Sequence, residues 1–205
     1  MSLLGVNLFG IYNETCKRQM NYIYREDQGR KGSYNVASML LDYIYCLPKE
    51  KRTHLIFHAD NCVGQNKNNT LLKVFSWLVL MKKCETIEFK FMIKGHTKFS
   101  PDSGFGHNKK KFFRENVYTI DQLKTIVETS SSTNDCKIFP GHRFKEYRTK
   151  LDLIFEDIKG ISKYQCFKFK SDQPGIVFCK KRVTDTLEIG PIHSMIKIPP
   201  NGLKK

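Results

Sequence analysis

HLIFHADNCVGQNKNN, His54–Asn69, is the stretch on which the reading of this chain turns. It opens on Leu55-Ile56-Phe57, a short apolar run of the kind that forms a buried strand. The run stops at Ala59-Asp60. Residues 61–69 are polar, carry Gly64, and hold one hydrophobic pair, Cys62-Val63. From Leu71 to Met81 the apolar residues return at helical spacing. Asp60 therefore lies where a strand passes into a loop and then a helix. Ligands of open α/β sheets bind outside the carboxyl ends of the strands. A carboxylate placed there is a good hard ligand for magnesium. The same residue type also caps turns, and this stretch alone leaves both roles open.

Upstream, Gly5–Tyr12 and Met20–Tyr24 read as two strands of a hairpin. Ser33 is placed to cap an amphipathic helix over Tyr34–Leu47, which Pro48 stops. The helix after the loop spans Asn69–Lys83. Thr86–Ile93 alternates polar and apolar residues, the mark of a strand with one exposed face. A second polar stretch follows, Lys94–Lys111. Ser100-Pro101-Asp102 is a helix start, and the helix is expected to reach Asn116. Gly104 and Gly106 weaken it by about 1 kcal/mol each, unless they serve a close backbone approach. Beyond lie a short helix, Ile120–Glu128 after Thr119, a short strand at Cys136–Phe139, and a helix over Phe144–Ile158. A hairpin pairs Tyr164–Lys170 with Gly175–Arg182. The basic, Pro-containing tail 189–205 is expected to be poorly ordered.

Composition narrows the function. The 205 residues carry 35 Lys and Arg against 20 Asp and Glu, a net charge of +15. That excess suits a polyanionic partner, most simply nucleic acid. No apolar run reaches the roughly 18 residues of a membrane span, and the first ten residues lack the basic region of a secretory signal. The seven cysteines are scattered without a CxxC pair, which reads as reduced thiols in an intracellular protein.

The order β, β, α, β, α, β, α matches the ribonuclease-H-like fold with its first strand removed. The expected class is α/β, a ribonuclease-H-like mixed sheet flanked by helices. It would occupy residues 1–117, with an α+β extension over 118–188 and the tail beyond. Three blocks sharpen this. They are Tyr24–Leu40 (YREDQGRKGSYNVASML), Asp60–Asn68 (DNCVGQNKN) and Gly95–Asp102 (GHTKFSPD). Through them the chain resembles a transposon-derived domain family of uncharacterised function, related to DDE transposases and retroviral integrases. The resemblance spans about half the chain, and the second and third blocks are the specific ones.

The resemblance implies that Asp60 and Asp102 are the second and third members of an acidic triad that holds Mg2+ or Mn2+, with His96 beside them. Two such ions drive phosphoryl transfer. The family's first acid lies on a strand upstream of the pattern that starts here, and Asn13, Glu14, Glu26 and Asp27 do not match it. The strand after that position and the Asp60 strand are expected to lack their shared neighbour, unless another strand repairs the sheet. Asn61, Gln65, Asn66, Lys67 and Asn68 are candidates for contact with bases and sugars, or for bracing their own loop. Lys109, Lys110, Lys111 and Arg114 are candidates for gripping phosphates. Three classes of function follow. The first is a transposase-derived nucleic-acid-binding domain, DNA before RNA, lacking chemistry and placed in the nucleus. The second is an active metal-dependent transposase or nuclease. The third is a protein-interaction domain.

Overall fold

Residues 5–92, 100–182 and 192–196 are described by the computed structural model. In chain order they form β1 (Val6–Asn13), β2 (Arg18–Arg25), α1 (Ser33–Cys46), β3 (His54–Ala59), α2 (Asn69–Leu80) and β4 (Thr86–Phe91). These are followed by α3 (Ser100–Phe112), α4 (Ile120–Thr129), β5 (Asn134–Ile138), α5 (Arg148–Ile154), β6 (Cys166–Lys170), β7 (Ile176–Lys180) and β8 (Ile192–Ser194). The chain is a mixed α/β protein with two mixed sheets, where the sequence suggested one. It divides into two compact units, each built from two separated segments. The first takes Met1–Lys31 and Thr97–Phe144, the second Gly32–His96 and Lys145–Lys205. These units cut across the linear division at residue 117.

In the first unit β1 and β2 form the expected hairpin, register Phe9↔Tyr22. Asn13 turns it by accepting the Thr15 and Cys16 amides on its side-chain oxygen. β5 then joins β2 in parallel, giving the order β1-β2-β5. Ile23, Val127 and Cys136 are buried together, with Ile120, Leu123 and Ile138 packed around them, so α4 closes over the β2–β5 face. Thr119 and Gln122 start α4 with a reciprocal capping box.

In the second unit the order is β3-β4-β6-β7-β8, parallel between β3 and β4 and antiparallel elsewhere. The alternation read in β4 is real: Ile87, Phe89 and Phe91 are buried. α2 covers this face, and the fully buried Phe75 ring meets Phe57, Phe89 and Phe169 on β3, β4 and β6. α1 packs on α2 and buries Val36, Met39, Leu40 and Ile44.

β1 and β3 each end a sheet. Neither late strand covers them, because β5 adds to β2 and β6 to β4. Among the described residues the packing is looser at this edge: Phe57 on β3 is half-buried, while its register partner Phe89 is buried.

Several expectations need correction. Gly32, not Ser33, is the residue before α1, and no side chain caps that helix. α3 ends at Phe112, four residues early. The helix expected over Phe144–Ile158 shrinks to the seven residues of α5. Phe155 and Ile158 are buried, and Phe155 leaves helical geometry to bridge Ile196. Burial of those two side chains outweighs continuation of a short helix. Ile192–Ser194, inside the tail, is a strand on β7; tail residues 189–191 and 197–205 lie outside the described residues. No helix among the described residues is long and apolar enough to cross a membrane.

Candidate functional site

Asp60 follows the last residue of β3, and its carboxylate is exposed. One oxygen, Oδ1, accepts the Cys62 amide at 3.0 Å and Asn66 Nδ2 at 2.7 Å. This closes a local turn and fixes the carboxylate's direction. Its neighbours knit the same loop. Asn61 donates to the Met92 carbonyl and accepts Lys67 Nζ at 3.1 Å. Asn68 caps α2 by accepting the Leu71 amide, and its amide nitrogen reaches the Val63 and Gln65 carbonyls. Cys62 O receives the amides of Gln65, Asn66 and Lys67.

Lys67 is the residue whose placement the sequence least suggested. It is 6% exposed. Its ammonium bonds Asn61 Oδ1 and the Ser162 carbonyl and lies 5.1 Å from the centre of the Phe91 ring. Burial lowers its pKa. Of the five loop residues proposed to touch nucleic acid, Asn61, Asn66, Lys67 and Asn68 bond their side chains within the loop or to neighbouring backbone, and of these Asn66 bonds Asp60 itself. No sequence signal separates an amide that braces from one that binds.

Asp102 is exposed in the first turn of α3, in the first unit. The Ser100 hydroxyl donates to the Glu14 carboxylate, tying this helix end to the β1–β2 turn. His96 lies outside the described residues. Farther along, Gly104 brings α3 against the sheet. A Cβ there would collide with the side-chain amide of Gln19, and one on Gly10 would lie 2.7 Å from the Phe105 ring. Gly106 faces open space. Of the two glycines, only Gly104 permits a close approach, and it is to the chain's own sheet.

A buried amide network locks the same helix. Asn108 donates to Asn21 Oδ1 and accepts from Ser130 and Asn134. Asn21 also accepts Gln19 Nε2 at 2.8 Å. Replacing Gly104 with alanine should therefore destabilise the chain by about 1 kcal/mol. The helix gains about 1 kcal/mol from alanine, but crowding the fixed Gln19 costs about 1–3 kcal/mol. A rise in denaturation midpoint would mean that α3 is not held this close.

The three lysines of the basic run point in different directions, since successive residues turn by about 100° around a helix. Lys109 lies 5.9 Å from the Phe113 ring centre. Lys111 donates to the carbonyl and hydroxyl of Thr129 at the end of α4. Lys110, Lys111 and Arg114 line an open cavity of about 360 Å³ with His107, Glu115 and Ser130. Glu115 is the one acid on its wall, 3.7 Å from Lys111. Lys110 and Arg114 have no acidic partner among the described residues.

Hard oxygen donors of the kind magnesium takes are present at Asp60, whose second oxygen has no bond within its loop, and at Asp102. Among the described residues, no three His, Cys, Asp or Glu side chains gather at one point. Each of these carboxylates, taken within its own unit, offers an ion too few oxygens for a magnesium site of its own.

The residues thus describe an α/β protein with a braced carboxylate at a strand end and a basic helix anchored to its own sheet. The chain belongs to the family described as Domain of unknown function (DUF7869), which matches residues 1–185. No curated protein and no solved structure matches it.

Proposed function

We propose that this chain is a transposase-derived nucleic-acid-binding domain of ribonuclease-H-like ancestry. The observation that carries the binding is α3. Its first turn bears Asp102 and its last turn bears Lys109, Lys110 and Lys111. Eight residues, about 12 Å of helix, separate Asp102 from Lys110. A carboxylate that belongs to phosphoryl-transfer chemistry and cations that neutralise phosphates thus share one rigid element. The ancestry is supported by Asp60 at the carboxyl end of β3 and by β1 and β3 each standing last in its sheet among the described residues. In the ribonuclease-H-like pattern, the strands in those two positions border the first strand. DNA is the favoured partner and the nucleus the favoured location, both following from that ancestry.

An active Mg2+- or Mn2+-dependent enzyme is the second reading. It gains support from Glu14, whose carboxylate bonds Ser100 two residues before Asp102. Metal-dependent nicking of DNA abolished by both Glu14→Gln and Asp102→Asn would establish it.

The binding test is affinity for duplex DNA against salt. Each neutralised phosphate contributes about 0.9 to the slope of log affinity against log salt. Replacing Lys109, Lys110 and Arg114 with alanine should flatten the slope by about 2–3. Lys111 is left in place because it holds α4. Identical slopes for parent and triple variant would show that this helix face is merely solvated.

A further inference from the structure

Beside the cavity at the end of α3 the chain exposes large aromatic side chains. Phe113 is 73% exposed and Tyr118 is 81% exposed. Phe112, at 43%, packs edge-on against Phe113. Burying a ring of this size is worth about 1.5–3 kcal/mol. The backbone that carries them is fixed. The Phe113 and Arg114 amides bond Lys109 and Lys111 carbonyls, and the Tyr118 amide donates to Gln122 Oε1 at 2.8 Å. The rings therefore stand on an ordered turn.

Cations without acidic partners and open aromatic rings together are what unpaired nucleic acid requires. Phosphates take the charges, and bases, freed from pairing, stack on the rings. A duplex offers phosphates but keeps its base faces covered, so it uses only half of this surface. We infer that the end of α3 and the turn after it, Lys110, Arg114, Phe113 and Tyr118, bind a single-stranded segment of nucleic acid. Its phosphates enter the cavity beside Lys110 and Arg114, and its bases stack on Phe113 and Tyr118. The inference rests on the nucleic-acid reading above and adds strandedness to it.

The test compares the full chain with two double variants, Lys110→Ala/Arg114→Ala and Phe113→Ala/Tyr118→Ala. Each is titrated with a fluorescent single-stranded oligonucleotide and with the same sequence as a duplex. All four residues are exposed, so both variants are expected to fold, and circular dichroism checks that. The parent should prefer the single strand by about tenfold or more, since stacking is worth about 1–3 kcal/mol per base. The aromatic variant should lose that preference while keeping its salt slope. The basic variant should weaken both ligands and flatten the single-strand slope by about 1.4, at about 0.7 per phosphate. Equal affinity for the two forms, or an aromatic variant that binds as the parent does, overturns the single-strand proposal and leaves duplex binding standing. No binding of either form overturns both.

Discussion

Replacing Phe75 with alanine is expected to lower the unfolding free energy by about 3–5 kcal/mol. The ring is fully buried in α2 and stacks on Phe57 with centroids 5.5 Å apart. It meets Phe89 at 5.0 Å and Phe169 at 5.8 Å. It is thus a single side chain shared by three strands of the second unit. Alanine would remove the ring's transfer energy and leave a cavity that rigid neighbours close only in part. Phe75→Leu should cost less, about 1–2 kcal/mol, because most of the volume stays. Trp77, the single tryptophan, lies on the same helix and reports the transition in a denaturant titration. A loss below about 1 kcal/mol would mean that the α2 core re-forms without the ring. The effect bears on the site, since Phe57 lies three residues before Asp60 on the strand that carries it.

Much of this architecture is legible in local patterns. The β3–loop–α2 passage, the alternation of β4 and the Thr119 start of α4 each follow from side chains within one element. What is not legible is pairing between distant segments. Nothing near Asn134–Ile138 says that β5 will lie beside β2, or that β6 will pair with β4 rather than extend a separate domain. Those choices are made by which apolar faces remain to be covered, a property of the whole chain. The same limit applied to α5, where a helical pattern yielded to the burial of Phe155.

The site divides similarly. Asp60 at a strand end and Asp102 in a helix's first turn stand where the sequence put them. The roles of Asn61, Asn66, Lys67 and Asn68 were open, because hydrogen-bond direction is not written in composition. Gln19, Asn21, Asn108 and Asn134, which hold α3, went unnoticed. Each looks like an ordinary surface residue until the helix and strands meet. The aromatic turn also escaped: Phe112 and Phe113 were read as the continuation of a helix that in fact ends at Phe112.

Lys73 shows the same limit within a helix, and its replacement is expected to have the second large effect. It sits between Leu72 and Val74 on α2, with its side chain 4% exposed. Its ammonium is 2.5 Å from both Asp152 and Asp157, joining α2 to α5 and the segment after it. Arg148 reaches the same two carboxylates from outside. Lys73→Ala would leave a gap and two carboxylates without their central cation. Loss of one partner from a buried pair costs about 3–5 kcal/mol. Here the carboxylates are 36% and 48% exposed, so water re-solvates them and about 2–3 kcal/mol is expected at neutral pH. Lys73→Met keeps the packing and should lose about 1 kcal/mol or less. The pH dependence separates charge from packing. The Lys73 hydrogen bond, ahead of that from Arg148, holds the Asp152 carboxyl below its ordinary range. A carboxyl lowered in the folded state adds stability at every pH above its unfolded value, about 3.9. That stability fades as pH falls through the lower folded value. The gap between parent and Lys73→Met should therefore be constant from about pH 5 to 8 and close below about pH 4. A gap that stays constant down to pH 3 would mean that the ion pair with Asp152 does not set the stability of this contact.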